Sequence, residues 1–165
     1  MCLITKSTIH NTSETPITCY KIIGRGGEGC KTEEDSFTPY QNFFVEKDIL
    51  SGVKPMLPKS FDKEFIRFGY GYFRLFGGAI HSFATRSSAI SELRTFVRDD
   101  YYLYDHFDLY ECEIPANTPY YEGRMDKYSS YASDKIVFKK RIRSFAMHGN
   151  LFDKIKRYVF IRQRR

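Results

Sequence analysis

Several patterns that mark common classes of protein are missing from this sequence. The chain has no tryptophan and no apolar run near the roughly 20 residues that a membrane-spanning helix requires. Residues 1–14 contain no basic start followed by an apolar block, so we expect no secretory signal. These absences predict a soluble protein of the cytoplasm that does not bind a membrane.

Cysteine and histidine are scarce and scattered. The four cysteines form no CxxC pair, and the four histidines lie far apart in the chain. Structural zinc sites usually draw on such local pairs, so we expect no metal site. In the cytoplasm we also expect the thiols to stay reduced.

Aromatic residues, in contrast, are abundant. The sequence has 15 Phe and 13 Tyr among its 165 residues. A chain of this length can bury roughly 70% of its unfolded surface, which is enough for one domain with a real core. We therefore predict a single domain over residues 1–165 with a core rich in Phe and Tyr.

The local patterns predict both strands and helices. Strands are expected at 15–24, 108–114 and 134–145, where β-branched and aromatic residues concentrate. A helix is expected over about 87–100, because apolar residues recur there with helical spacing. A basic terminal helix is expected at 150–165.

This order of elements is not the strict alternation of a doubly wound sheet. It predicts an α+β fold with a mixed or mostly antiparallel sheet. The central helix and the basic terminal helix would then pack beside that sheet.

Two glutamates stand one residue apart in the segment YECEIPANTPYYEG. On a strand Glu111 and Glu113 share one face, with α-carbons about 7 Å apart. A carboxylate pair in a cleft can hold a ribose or support acid–base chemistry. On an exposed face the same pair only keeps the strand soluble, and the sequence leaves both interpretations open.

The segment GRGGEG has the spacing of a dinucleotide-binding loop but not its context. A pyrophosphate site needs a helix that begins at the third glycine, and CKTEEDSFTPY follows here instead. We interpret the segment as a loop, in which Arg25 and the backbone amides are candidate phosphate contacts.

The segment GGAIHSFAT offers a further candidate site. Its glycines would let a ligand approach, with His81, Ser82 and Thr85 beside it. A packed structural histidine remains the alternative, because acid–base work needs a partner that the sequence does not place.

Positive charge is concentrated at the end of the chain. Residues 135–165 hold eleven Lys and Arg and the single acid Asp153. Such a segment is a candidate for binding nucleic acid or another polyanion, although an exposed helix has the same composition. The residues proposed for this role are Lys139, Lys140, Arg141, Arg143, Lys156 and Arg157.

Most of the chain resembles a group of small uncharacterised proteins of Bacteroidales tailed phages and prophages. The segments that carry this resemblance are MCLIT, CYKII, GGAIHSF, CEIPANTPYYEG and YASDKIVFKK. The resemblance implies a phage accessory protein made in the bacterial cytoplasm, of the kind used in host takeover or counter-defence.

Three segments also resemble, in order, the ADP-ribosyltransferase core: CYKIIG, IHSFATRSSA and ECEIPANT. This resemblance implies Glu113 as the catalytic glutamate, Glu111 as the residue that orients the acceptor, and NAD as the cofactor. Two positions depart from the family pattern. Lys21 stands where the family has Arg or His, and SFAT replaces S-T-S.

Together these features predict a phage-encoded protein that binds a nucleotide-like small molecule or a host protein without turnover. Sequestering a nucleotide signal is one version of that role. The proposed ligand-binding residues are Tyr20, Lys21, Arg25, His81, Ser82 and Thr85. An ADP-ribosyltransferase-like enzyme and a structural or nucleic-acid-binding protein are the alternatives.

Overall fold

The computed structural model of the protein describes residues 3–27, 36–39, 44–98 and 104–146. Within these ranges the chain forms ten β-strands and two α-helices. The strands are β1 (Leu3–Thr5), β2 (Ile17–Arg25), β3 (Ser36–Phe37), β4 (Phe65–Arg67), β5 (Phe73–Leu75), β6 (Ile80–Phe83), β7 (His106–Ile114), β8 (Tyr120–Met125), β9 (Tyr128–Ser133) and β10 (Val137–Ala146). The helices are α1 (Lys47–Leu50) and α2 (Arg86–Arg98).

All described strands belong to one antiparallel sheet. Its order is β10-β7-β2-β6-β9-β8-β1-β5-β4, and β3 pairs with β2 beside this path. The predicted α+β fold is therefore wrong, since the described part of the chain is mainly an antiparallel sheet. The basic helix predicted at 150–165 lies outside the described residues.

The fold class was predicted wrongly because hairpins form outside the segments that were predicted above as strands. Tyr120–Met125 and Tyr128–Ser133, which follow Pro115, pair as one such hairpin. Residues 65–83 contribute three further short strands. Each such segment adds strand to the sheet without adding helix.

The sheet buries apolar side chains on both faces. The first face, which α2 covers, includes Ile22, Phe83, Phe107 and Leu109. The second face includes Cys19, Ile23, Cys112 and Phe138, with α1 residues packed against it. Successive residues of a strand point to opposite faces of the sheet. Each side chain therefore packs against either the α2 side or the α1 side, depending on its position in the strand.

Helix α2 begins at a threonine cap. The Thr85 hydroxyl accepts a hydrogen bond from the Ser88 N–H at 3.1 Å, which satisfies one of the free donors of the first turn. Ala89, Leu93 and Phe96 then point into the core. Neither helix of the described ranges is long and apolar enough to cross a membrane.

Candidate functional site

A cleft opens where β1 and β8 part from each other. The two strands are in register at Ile4 opposite Arg124, and the chain returns to β8 at the bridge between Asn11 and Tyr120. Residues 5–10 therefore lie opposite residues 121–123, which are too few to pair with them one to one. The surplus chain moves out of the ladder and leaves a cleft beside β8.

The outer wall of the cleft is held by its own hydroxyl groups. Thr5 Oγ1 accepts a hydrogen bond from the Ser7 N–H at 3.3 Å, and Ser7 Oγ accepts one from the Ile9 N–H at 3.0 Å. Such bonds from a side chain to a nearby backbone group compete with ladder pairing. They give residues 6–9 a defined shape outside the sheet.

The cleft measures about 580 Å³ and is open to solvent on one side. This size falls within the roughly 300–1,000 Å³ typical of small-molecule sites. It is lined by two cations, two tyrosines, one carboxylate and several smaller residues: Ile4, Thr5, Lys6, Ser7, Ile9, Asn11, Tyr72, Tyr121, Glu122, Gly123 and Arg124.

The two tyrosines of the cleft differ in exposure. Tyr121 is buried and makes edge-to-face contacts with Phe65 and His10, at centroid distances of 5.3 and 6.4 Å. Its burial raises the pKa of its hydroxyl, which therefore stays neutral near pH 7. Tyr72 is half-buried, and the Lys6 ammonium lies 5.7 Å from its ring centroid. One ring is thus packed into the core, and the other is accessible beside a cation.

The backbone of β8 also faces this cleft. Tyr120 exchanges both hydrogen bonds with Asn11, at 2.7 and 3.0 Å, so its N–H and C=O point toward residues 5–11. In an antiparallel strand the next residue to point the same way is two positions on. The Glu122 N–H and C=O are therefore aimed into the cleft, one as a donor and one as an acceptor.

Gly123 allows β1 to approach β8 closely. A methyl group at this position would collide with the Ile4 carbonyl oxygen and lie 3.0 Å from the Leu3 side chain. The floor of the cleft therefore requires glycine here for steric reasons.

Three of the predicted ligand residues lie in the sheet interior. Lys21, His81 and Ser82 are 6%, 3% and 1% exposed, and the Lys21 ammonium donates a hydrogen bond to the His81 carbonyl at 2.6 Å. Burial lowers the pKa of Lys21 to about 8, although the nearby thiols of Cys112 and Cys19 oppose this shift. Burial also raises the pKa of Cys19 to about 11, partly offset by the Ser82 hydroxyl beside it. The structure brings Lys21, His81 and Ser82 together, but outside the cleft.

The other three predicted ligand residues do not complete a site with this group, and Tyr20, although next to Lys21 in β2, lies on the opposite face of the sheet. Arg25 Nε lies 3.5 Å from the buried carboxylate of Asp108. Thr85 caps α2, and Tyr20 lies opposite Glu111 in the register of β2 and β7. None of the three lines the cleft.

The glutamate pair shares one face, as the alternation predicted, but Lys21 lies on the other. Glu111 is opposite Tyr20 and Glu113 is opposite Thr18, whereas Lys21 is opposite Tyr110. The transferase resemblance requires all three groups in one cleft. The register of β2 and β7 instead places the sheet between the lysine and the glutamates.

Lysines of β10 neutralise this glutamate pair. Lys140 Nζ lies 3.3 Å from Glu111, and Lys139 Nζ lies 3.3 Å from Glu113. All four side chains are partly exposed, so each pair contributes little to stability, about 0–1 kcal/mol. The two glutamates that were predicted as catalytic are therefore paired with two of the lysines that were predicted to bind a polyanion.

Arginines of β10 are engaged as well. Arg141 Nη1 lies 3.5 Å from Asp108, and the Arg143 guanidinium lies 4.7 Å from the Phe145 ring centroid. Lys156 and Arg157, the remaining residues of the predicted polyanion site, lie outside the described residues. The described part of that site is therefore a set of ion pairs and a stacked arginine.

The residues that line the cleft were not predicted as a site. Lys6, Tyr72, Tyr121 and Arg124 come from three distant segments that meet only because β1 pairs with both β5 and β8. No local spacing connects them. The sequence signal for this site was tyrosine close to single Lys or Arg residues, a pattern that many protein surfaces have and that does not identify a site.

Comparison with protein-family models, curated proteins and solved structures gives no match. Among the residues that the structure describes, no group of three His, Cys, Asp or Glu is placed to hold a metal ion. The cleft is therefore interpreted from its own chemistry.

Proposed function

We propose that the protein binds a nucleotide-like small molecule, without turnover, in the cleft between residues 5–11 and β8. The observation that carries this proposal is the meeting of Lys6, Arg124, Tyr72 and Tyr121 around one open cleft. We further propose that it does so in the cytoplasm of a bacterial host, as a phage accessory protein.

The cations supply the phosphate contacts. Lys6 and Arg124 are both exposed and line the cleft from its two walls. A phosphate between them would receive charge-assisted hydrogen bonds, which are about twice as strong as neutral ones. Arginine adds the planar fork that matches phosphate oxygens.

Tyr72 and the backbone supply contacts for the base. The accessible Tyr72 ring can stack on a base, an interaction worth about 1–3 kcal/mol. The Glu122 N–H and C=O form the donor–acceptor pair that a base edge needs. Its exposed carboxylate can accept a hydrogen bond from a ribose hydroxyl, whereas a phosphate beside it would be repelled.

Binding without turnover fits the composition of the lining. Its residues include one carboxylate, Glu122, and no histidine or cysteine within the described part of the chain. General acid–base and nucleophilic catalysis normally require such groups in reach of each other.

Isothermal titration with nucleoside mono-, di- and triphosphates and with cyclic dinucleotides tests the proposal. We expect at least one to bind, and the double substitution Lys6→Ala/Arg124→Ala to weaken binding about tenfold or more, because each charge-assisted bond contributes roughly 1.5–3 kcal/mol. Lys127→Ala, which removes an exposed cation outside the cleft, is the matched control. Absence of binding by every nucleotide, or equal affinity in the double variant, would refute it.

A further inference from the structure

We infer that the cleft is one end of a longer site for single-stranded nucleic acid, which continues over the exposed face of the β4–β5 hairpin. This inference rests on the proposed function, because it takes the nucleotide in the cleft to be one unit of a strand. It extends the site to residues 66–76.

The register places the cleft and the hairpin on one continuous face. Ile4 lies opposite both Arg124 of β8 and Arg74 of β5, and Arg74 lies opposite Ile66 of β4. Directly opposed residues of antiparallel strands point to the same side. This row therefore crosses four strands on the face opposite the α2 side, with Ile4 between the two arginines and Ile66 at its end.

Aromatic rings lie beside the cations of this face. The Arg74 guanidinium is 3.9 Å from the Phe68 ring centroid, and Lys6 is 5.7 Å from that of Tyr72. Phe68 and Tyr72 are cross-strand neighbours, joined by a hydrogen bond from the Phe68 N–H to the Tyr72 carbonyl at 2.8 Å. Tyr72 belongs to the cleft as well, so the two regions share a residue.

The face remains open to solvent. Ile66 is 57% exposed, and Phe68 and Phe76 are each 41% exposed. At the hairpin tip, Tyr70 is 98% exposed between Gly69 and Gly71, whose positive φ values of 68° and 75° form the loop. Exposed aromatic rings at this density are costly for a monomer and mark a binding surface.

Single-stranded nucleic acid fits this chemistry better than a mononucleotide alone. Unpaired bases stack on aromatic side chains of open sheet faces, while Lys and Arg between the rings contact successive phosphates. A duplex hides its base faces, and the acidic side chains of a peptide carry no rings that could stack. The alternation of rings and cations from Tyr72 to Phe68 therefore selects an unpaired strand.

Fluorescence anisotropy with labelled oligonucleotides tests the inference. The probes are oligouridylate and oligothymidylate of two, six and ten nucleotides, with unlabelled UMP as competitor and a ten-base-pair duplex for comparison. We expect the six-nucleotide probes, of RNA or DNA, to bind at least tenfold more tightly than UMP. The duplex should bind more weakly than either ten-nucleotide strand.

Substitutions show which residues make the affinity rise with oligonucleotide length. Phe68→Ala and the fully exposed Tyr70→Ala should remove most of the gain and leave UMP affinity unchanged. Phe44→Ala, an exposed phenylalanine 55% accessible and outside this face, is the matched control and should keep the gain. Because Tyr70 is almost free of contacts, its substitution separates a binding effect from a folding defect.

The outcomes distinguish this inference from the proposed function. If mononucleotides bind and affinity does not rise with length, the extended site is wrong and the cleft remains a nucleotide site. If neither mononucleotide nor oligonucleotide binds, both are wrong. Displacement of the strand by an equal charge of polyglutamate would also overturn the inference, because it would show attraction to any polyanion.

Discussion

Lys21 gives the sharpest prediction about stability, because it is a lysine buried in the sheet. Its folded pKa of about 8 lies below the ordinary lysine value of 10.5, so between these pH values the unfolded chain binds more protons than the folded protein. Stability therefore rises with pH across this window. The full shift corresponds to about 3 kcal/mol, the cost of burying the charged form relative to the neutral one.

The experiment compares the wild type with Lys21→Met, which keeps most of the side-chain volume and removes the titrating group. From pH 7 to pH 9 the free energy of unfolding of the wild type should rise by about 1 kcal/mol relative to the variant. Loss of the hydrogen bond to His81 lowers the stability of the variant by a similar amount at each pH, so it does not change the slope.

Urea denaturation at pH 7, 8 and 9 measures this difference. Stopping at pH 9 limits the contribution of Cys19 and Cys112, whose raised pKa values lower stability at higher pH in both proteins. Lys127→Met, a change of an exposed lysine, should run parallel to the wild type. If Lys21→Met also runs parallel to the wild type, the reasoning about its burial is refuted.

Two further substitutions test the fold around the cleft and α2 by the same denaturation. Gly123→Ala should lower stability by about 1–3 kcal/mol, because its methyl collides with the Ile4 carbonyl, whereas Gly77→Ala meets only ordinary contacts. Thr85→Ala should cost about 1 kcal/mol through loss of the helix cap, with exposed Thr8→Ala as control. Equal stability of variant and control would count against either account.

Elements with a strong local pattern were predictable from the sequence. The segments expected at 15–24, 108–114 and 134–145 overlap β2, β7 and β10, and the helix expected over about 87–100 overlaps α2. Alternation and helical spacing are properties of a short window, so tertiary contacts are not needed to recognise them.

The fold class depended on pairings that no short window contains. β1 pairs with β5 through Leu3 opposite Leu75, and this contact joins distant parts of the chain. Strands β4, β5 and β8 are short or contain glycine and polar residues, and their strand character comes from neighbours in the sheet. Because those pairings were not predicted, the two predicted helices led to the α+β fold class.

The site was out of reach for the same reason. The cleft exists because β1 leaves β8 after Ile4 and rejoins it at Asn11, which only the register reveals. The interior position of Lys21, in contrast, was predictable from the sequence. Its neighbours on the same strand face, Cys19 and Ile23, are apolar and buried, and this alternation indicated an interior position.

The most direct test of the nucleotide cleft is hydrogen–deuterium exchange with and without a nucleotide found to bind. The cleft predicts slower exchange in residues 5–11 and 120–124, with the Glu122 amide among the protected groups. Protection confined to residues 20–25 and 80–85 would place the ligand at the originally predicted residues and contradict the cleft assignment.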